Sequence, residues 1–276
     1  MRRPKTLFLS LLWFLLFFGV RAVICVAVSL SAVNEKAIDN ILSGAAANAP
    51  DILFLCNIIT PVLLFLTVKL GGEKFMRSAG LQKTGILGVL AALVFGLVLT
   101  PVLRFVLDLI PIPDIVSGIY EKTAVAAVFK NAELSVITTV VLIPLCEELV
   151  FRGMILHTLD RSFSTFTSII LTTLLYTVIF PDPAKALYAF VTGLIFCLFC
   201  LRFHSLWPSL LAHIAMAVVS EYFDLSVFQN GLQYAVLALC AAAVFSLGLW
   251  MLATGLSNYR KQRKSTTNQR TERNLI

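Results

Sequence analysis

The run LSVITTVVLIPLCEELVFRGMILHT, residues 134–158, is largely apolar and carries two adjacent glutamates, Glu147 and Glu148, and an arginine, Arg152, near its middle. About 20 apolar residues are enough to cross a bilayer as a helix. Ionisable groups in such a segment are costly and mark function by default. The run therefore predicts a transmembrane helix with a polar site built into it.

The rest of the chain has the same character. Of 276 residues, 59% are hydrophobic and 13% charged, about half the charged share of an ordinary soluble domain. A soluble enzyme and a disordered chain are both excluded. Apolar stretches bounded by charge, Pro or Gly predict helices at about 7–32, 51–69, 84–109, 134–158, 163–180, 185–202, 206–221 and 232–256. The fold class is thus all-α, a polytopic membrane protein of about eight transmembrane helices forming a single integral membrane domain over 1–276. The first stretch has the basic start of a signal peptide, but its apolar character resumes after Arg21 and no small-residue cleavage site follows directly. It reads as a retained helix.

The net charge of +7 belongs to the ends of the chain. Arg2, Arg3 and Lys5 at the start, with Arg260, Lys261, Arg263, Lys264, Arg270 and Arg273 in the tail, account for the whole excess. That placement fits juxtamembrane charge facing anionic lipid and gives no nucleic-acid surface. The loops agree: Lys69, Lys74, Arg77, Lys83, Arg161 and Arg202 fall on the N-terminal side of the membrane, and only Lys36, Lys122, Lys130 and Lys185 fall opposite. Since cytoplasmic loops retain Lys and Arg, the expectation is a multi-pass protein of the cell membrane with both termini cytoplasmic, residues 257–276 being a basic cytoplasmic tail.

Most other features read as packing. Gly88, Ala92 and Gly96 recur every four residues, as suits close helix contact. The six cysteines lie in apolar runs and behave as small buried hydrophobes, the Cys197/Cys200 pair included. Arg104 and Asp108, one turn apart, suit a structural pair. Arg21 has no partner within a turn of its own helix, so a carboxylate on another helix is expected to neutralise it.

Glu147, Glu148 and Arg152 resist such a reading. Glu148 and Arg152 stand at i, i+4 in the favourable order for an ion pair. Glu147 points about 100° away, as neighbours on a helix do, and is expected to turn toward another helix. A carboxylate so placed suits a general base acting on water. His213, on another apolar helix, is the other intramembrane group that suits a site. No metal or cofactor is implied: the chain has three histidines and no HExxH arrangement.

Glu147-Glu148-x-x-x-Arg152-Gly153, followed by Ser205-Leu206-Trp207-Pro208-Ser209-Leu210-Leu211-Ala212-His213, resembles the CPBP family of intramembrane endopeptidases. That family includes the type II CAAX prenyl proteases and bacteriocin-processing or immunity proteins. The resemblance covers about residues 134–221, which it makes the catalytic core region. It implies cleavage of a membrane-associated peptide or protein substrate, with Glu147 activating water, Glu148 and Arg152 supporting it, and His213 holding the oxyanion.

Two family positions differ. A Phe-x-x-x-His motif that helps to bind the water corresponds here to Tyr176-Thr-Val-Ile-Phe180, and a His-x-x-x-Asn motif to His213-Ile-Ala-Met-Ala217. Tyr176, Phe180 and Ala217 are therefore the expected substrate-side positions, and neither Phe180 nor Ala217 can donate a hydrogen bond. Tyr176 and Ser220 are the polar groups placed to compensate. At 1.5 Å per residue, Phe180 would lie about 25 Å from the inner start of its helix and His213 only about 9 Å from Trp207, so tilt or a displaced helix end must bring them together. The alternatives to a working protease are an impaired member acting as a binding or immunity-type protein and a small-solute transporter. The latter is disfavoured because no paired halves or interrupted helices are visible.

Overall fold

A computed structural model describes residues 3–31, 50–72, 74–108, 134, 136–180 and 183–222, with short pieces at 239–243, 246 and 248. Among them the fold is all-helical, without a strand. Helix α1 is Arg3–Ser31, α2 Pro50–Leu70, α3 the single turn Phe75–Ser78, and α4 Ile86–Asp108. Helix α5 then runs over 137–160, α6 is Thr165–Thr177, α7 Pro183–Phe203 and α8 Leu206–Tyr222. The predicted stretch at 232–256 lies almost wholly outside the described residues, and the tail at 257–276 entirely so. The same holds for the side chains of Arg104 and Asp108.

Four of these helices are long and apolar enough to cross a membrane: Arg3–Ala27, Ile52–Leu70, Ile86–Leu103 and Lys185–Phe203. Helix α6 has 13 residues, about 20 Å at 1.5 Å per residue against a hydrocarbon core of about 30 Å. The expectation of about eight spans thus rests on four that are sufficient by length and composition. Helices α5, α6 and α8, which build the site, are shorter or carry charge.

Helix α5 is not a uniform α-helix. It is π-helical over Ile137–Leu142, α-helical over Ile143–Glu148, π-helical over Leu149–Leu156 and α-helical again over His157–Asp160. Pro144 explains the first change, because it lacks an N–H and its ring presses on the carbonyl of Val140. Wide turns of this kind concentrate at functional sites. Here they flank the short α-helical segment that ends on Glu147 and Glu148.

The core forms around α5. Phe17 of α1 packs edge-on against Phe151 at 5.7 Å, and Leu64, Leu156 and Leu206 are wholly buried in the same cluster. Helix α1 is therefore an integral part of the bundle. Arg21 lies over the Phe17 ring at 5.5 Å, a face that attracts a cation, and no ion pair to a carboxylate is found for it among the described residues. Cys25, Cys56, Cys146, Cys197 and Cys200 are buried and free.

One end of the bundle is tied together by polar contacts. Thr6 and Ser162 hydroxyls lie 2.6 Å apart. The Leu206 N–H donates to the Gly80 carbonyl at 2.8 Å and the Ser205 hydroxyl to the Gln82 carbonyl at 2.6 Å. Gly80 has a φ of 68°, a backbone region that glycine enters without penalty. A Cβ there would also lie 2.7 Å from the His157 ring.

Gly88 and Gly96 do serve close packing. A Cβ on Gly88 would lie 2.9 Å from the Phe203 ring, and one on Gly96 would collide with the Ala212 carbonyl of α8. Backbone cannot yield as a flexible side chain does. Gly96→Ala should therefore push α4 from α8 and destabilise the protein by about 1–3 kcal/mol. Thermal unfolding in detergent reads this directly, and an unchanged midpoint would show that the two helices separate without cost.

Candidate active site

The site begins with the Glu148–Arg152 pair on α5. Arg152 Nη1 donates to Glu148 Oε1 at 2.9 Å, and both side chains have no exposure at all. This is the ion pair expected from the i, i+4 spacing. Arg152 Nη2 also reaches the Gly193 carbonyl of α7 at 3.5 Å. Its guanidinium lies over the Tyr176 ring at 4.3 Å and the Phe196 ring at 5.2 Å, a sandwich that favours a desolvated cation.

Glu148 is saturated with donors. Besides Arg152, His213 Nδ1 lies 3.1 Å from Oε1, and the Ser209 hydroxyl donates to Oε2. A carboxylate only accepts, so His213 carries its proton on Nδ1 in this contact. The His213 ring stacks on Phe196 at 4.9 Å, which fixes its plane.

Glu147 turns away from this group, toward α6, where the Tyr176 hydroxyl donates to its Oε2 at 2.9 Å. The same oxygen faces His213 Nε2 at 4.0 Å, beyond direct hydrogen-bond length. The His213 side chain is 16% exposed and that of Glu147 7%. The two groups thus face one partly open space, while Glu148 and Arg152 are sealed behind them.

The structure brings Glu147, Glu148, Arg152, His213 and Tyr176 together. Phe180 lies past the end of α6, half-buried, with its ring edge-on to Tyr176 at 5.4 Å. Helix α6 meets α5 one turn earlier than the motif alignment places it, and so Tyr176 meets Glu147. Ala217 is half-buried one turn beyond His213, and Ser220 is exposed.

Sequence reasoning assigned no role to Ser209, Gly193 or Phe196. Ser209 carried a signal, since it stands one turn before His213 on the same helix face. Gly193 carried only a weak one, as an isolated glycine in an apolar helix. A Cβ on it would lie 3.0 Å from Thr173 Cγ2 and 3.3 Å from the Tyr176 ring, so any larger residue would crowd the contact of α7 with α6.

Residues 130–219 match the family model described as type II CAAX prenyl endopeptidase Rce1-like. This stretch contains every residue of the cluster. The match covers about a third of the chain and makes this stretch similar to a family of type II CAAX prenyl endopeptidases, while the apolar helices fit a membrane protein. No curated protein and no solved structure matches the chain.

Proposed function

We propose that the chain is an intramembrane endopeptidase that cleaves a membrane-associated peptide or protein with a water activated by Glu147. The observation that carries this reading is the difference between the two glutamates. Glu148 is sealed and occupied by three donors, whereas Glu147 retains exposure and faces His213 across 4.0 Å. We place the attacking water beside this pair, within hydrogen-bond reach of both atoms, which stand too far apart for a direct bond.

Glu147 takes a proton from this water as the water oxygen bonds to the scissile carbonyl carbon, and the carbonyl electron pair moves onto its oxygen. With Nδ1–H donated to Glu148, the part of the His213 ring left to face substrate is Nε2. A proton on that nitrogen then faces the developing oxyanion, an interaction that grows in the transition state. Collapse breaks the C–N bond, and the proton held by Glu147 passes to the leaving amine. Glu148, Arg152 and Ser209 hold His213 and keep the pair in place.

The gathering of basic residues supports a cytoplasmic assignment for one end of the bundle. Thr6, near Lys5, bonds Ser162, next to Arg161, and the loop after Arg77 bonds the start of α8, close to Arg202. This supports the expectation of a cytoplasmic N-terminus, whereas the tail at 257–276 lies outside the described residues.

Proteoliposomes presenting a panel of membrane-anchored peptides test the proposal. Cleavage is expected, and a folded protein that cleaves none would favour a second reading, a binding or immunity-type member. That reading draws on Phe180 and Ala217, whose side chains offer no hydrogen bond where the family has one. Because a single oxyanion donor is worth about 10²–10³ in turnover, Ala217→Asn should raise the rate toward 10²-fold. An unchanged rate in the folded variant would place Ala217 away from the oxyanion.

A further inference from the structure

We infer that Tyr176 is the positioning residue of the general base, acting through Glu147 rather than on substrate; this rests on the endopeptidase reading above. Three observations carry it. Its hydroxyl lies 2.9 Å from Glu147 Oε2, and toward an ionised carboxylate it can only donate. The residue is 3% exposed, so its polar atom is spent inside the protein. Its ring is held on every side.

That confinement is specific. The Arg152 guanidinium covers the ring at 4.3 Å. Phe151 meets it edge-on at 5.1 Å and Phe180 at 5.4 Å. Gly193 is so close that a Cβ would sit 3.3 Å from Tyr176 Cδ1. A phenol gripped in this way holds its O–H direction, and with it the rotamer of Glu147. One carboxylate oxygen is thereby kept facing His213.

The arrangement also accounts for the missing histidine. Phe180 cannot donate, and it lies one turn too far along to face Glu147. Instead it forms one wall of the Tyr176 socket. The hydrogen bond to the base therefore comes from the preceding turn of α6, and no proton transfer through Tyr176 is required.

Tyr176→Phe removes only the hydroxyl and keeps the ring that Arg152 and the two phenylalanines grip. Assayed in proteoliposomes with a membrane-anchored peptide reporter, the variant should lose about 10²-fold in kcat, with KM within about twofold. That split marks an interaction made on the way to the transition state. An unchanged kcat, or a rise in KM alone, would overturn the assignment. A second measurement does not depend on activity. In protein with ring-labelled tyrosine, the infrared C–O band that disappears in Tyr176→Phe should shift in Glu147→Gln. A band unmoved by that substitution would equally overturn the pairing. Wild-type protein that cleaves no reporter overturns the endopeptidase reading instead, and a band that still shifts then upholds the hold of Tyr176 on Glu147.

Discussion

Arg152→Leu is expected to destabilise the protein by about 3–5 kcal/mol, the cost of leaving one partner of a buried ion pair uncompensated. Arg152 and Glu148 are both wholly buried, so water cannot replace the lost contact. The arginine also fills the space between the Tyr176 and Phe196 rings, and leucine has no cation to offer either face. Thermal unfolding in detergent should show a large fall in the midpoint. Adding Glu148→Leu should recover only part of it. Removing both members of an isolated buried pair is often nearly neutral, but Glu148 also accepts from Ser209 and His213, and these donors would be stranded. Full recovery in the double variant would mean that the pair is isolated, and no loss in Arg152→Leu would mean that the bundle does not depend on it.

Glu147→Gln is expected to lower turnover by about 10²–10⁴, the range that general acid–base catalysis supplies. The amide keeps the volume of the carboxyl and an oxygen for the Tyr176 hydroxyl, so the fold and KM should change little. What it lacks is the capacity to take a proton from water. The effect should therefore fall on kcat, with a thermal midpoint close to that of the wild type. Cleavage at the wild-type rate would remove Glu147 from the base role. A fall in midpoint comparable to that of Arg152→Leu would make Glu147 a structural residue like Glu148.

These two variants separate roles that adjacent residues on one helix hold. The division arises because consecutive positions point about 100° apart. Glu148 faces α8, with Arg152 one turn on reaching α7, while Glu147 meets Tyr176 of α6. A helical wheel shows that they differ, and only the neighbouring helices show what each meets.

Composition and period alone established an all-helical membrane protein, the approximate limits of seven helices, the Glu148–Arg152 pair and the close-packing role of Gly88 and Gly96. Each follows from rules that act within one helix: the length of an apolar run sets a span, and i, i+4 spacing sets a pair. The tertiary structure decided that Tyr176 rather than Phe180 meets Glu147, that His213 and Ser209 close on Glu148, and that α5 widens on both sides of its glutamates. The physical reason is that lipid tails are as apolar as the inside of the bundle, so hydropathy does not tell a helix which face to bury. The register of one helix against the next is fixed instead where a glycine admits close contact, at Gly193 against the Thr173 and Tyr176 side chains of α6 and at Gly96 against the Ala212 backbone of α8.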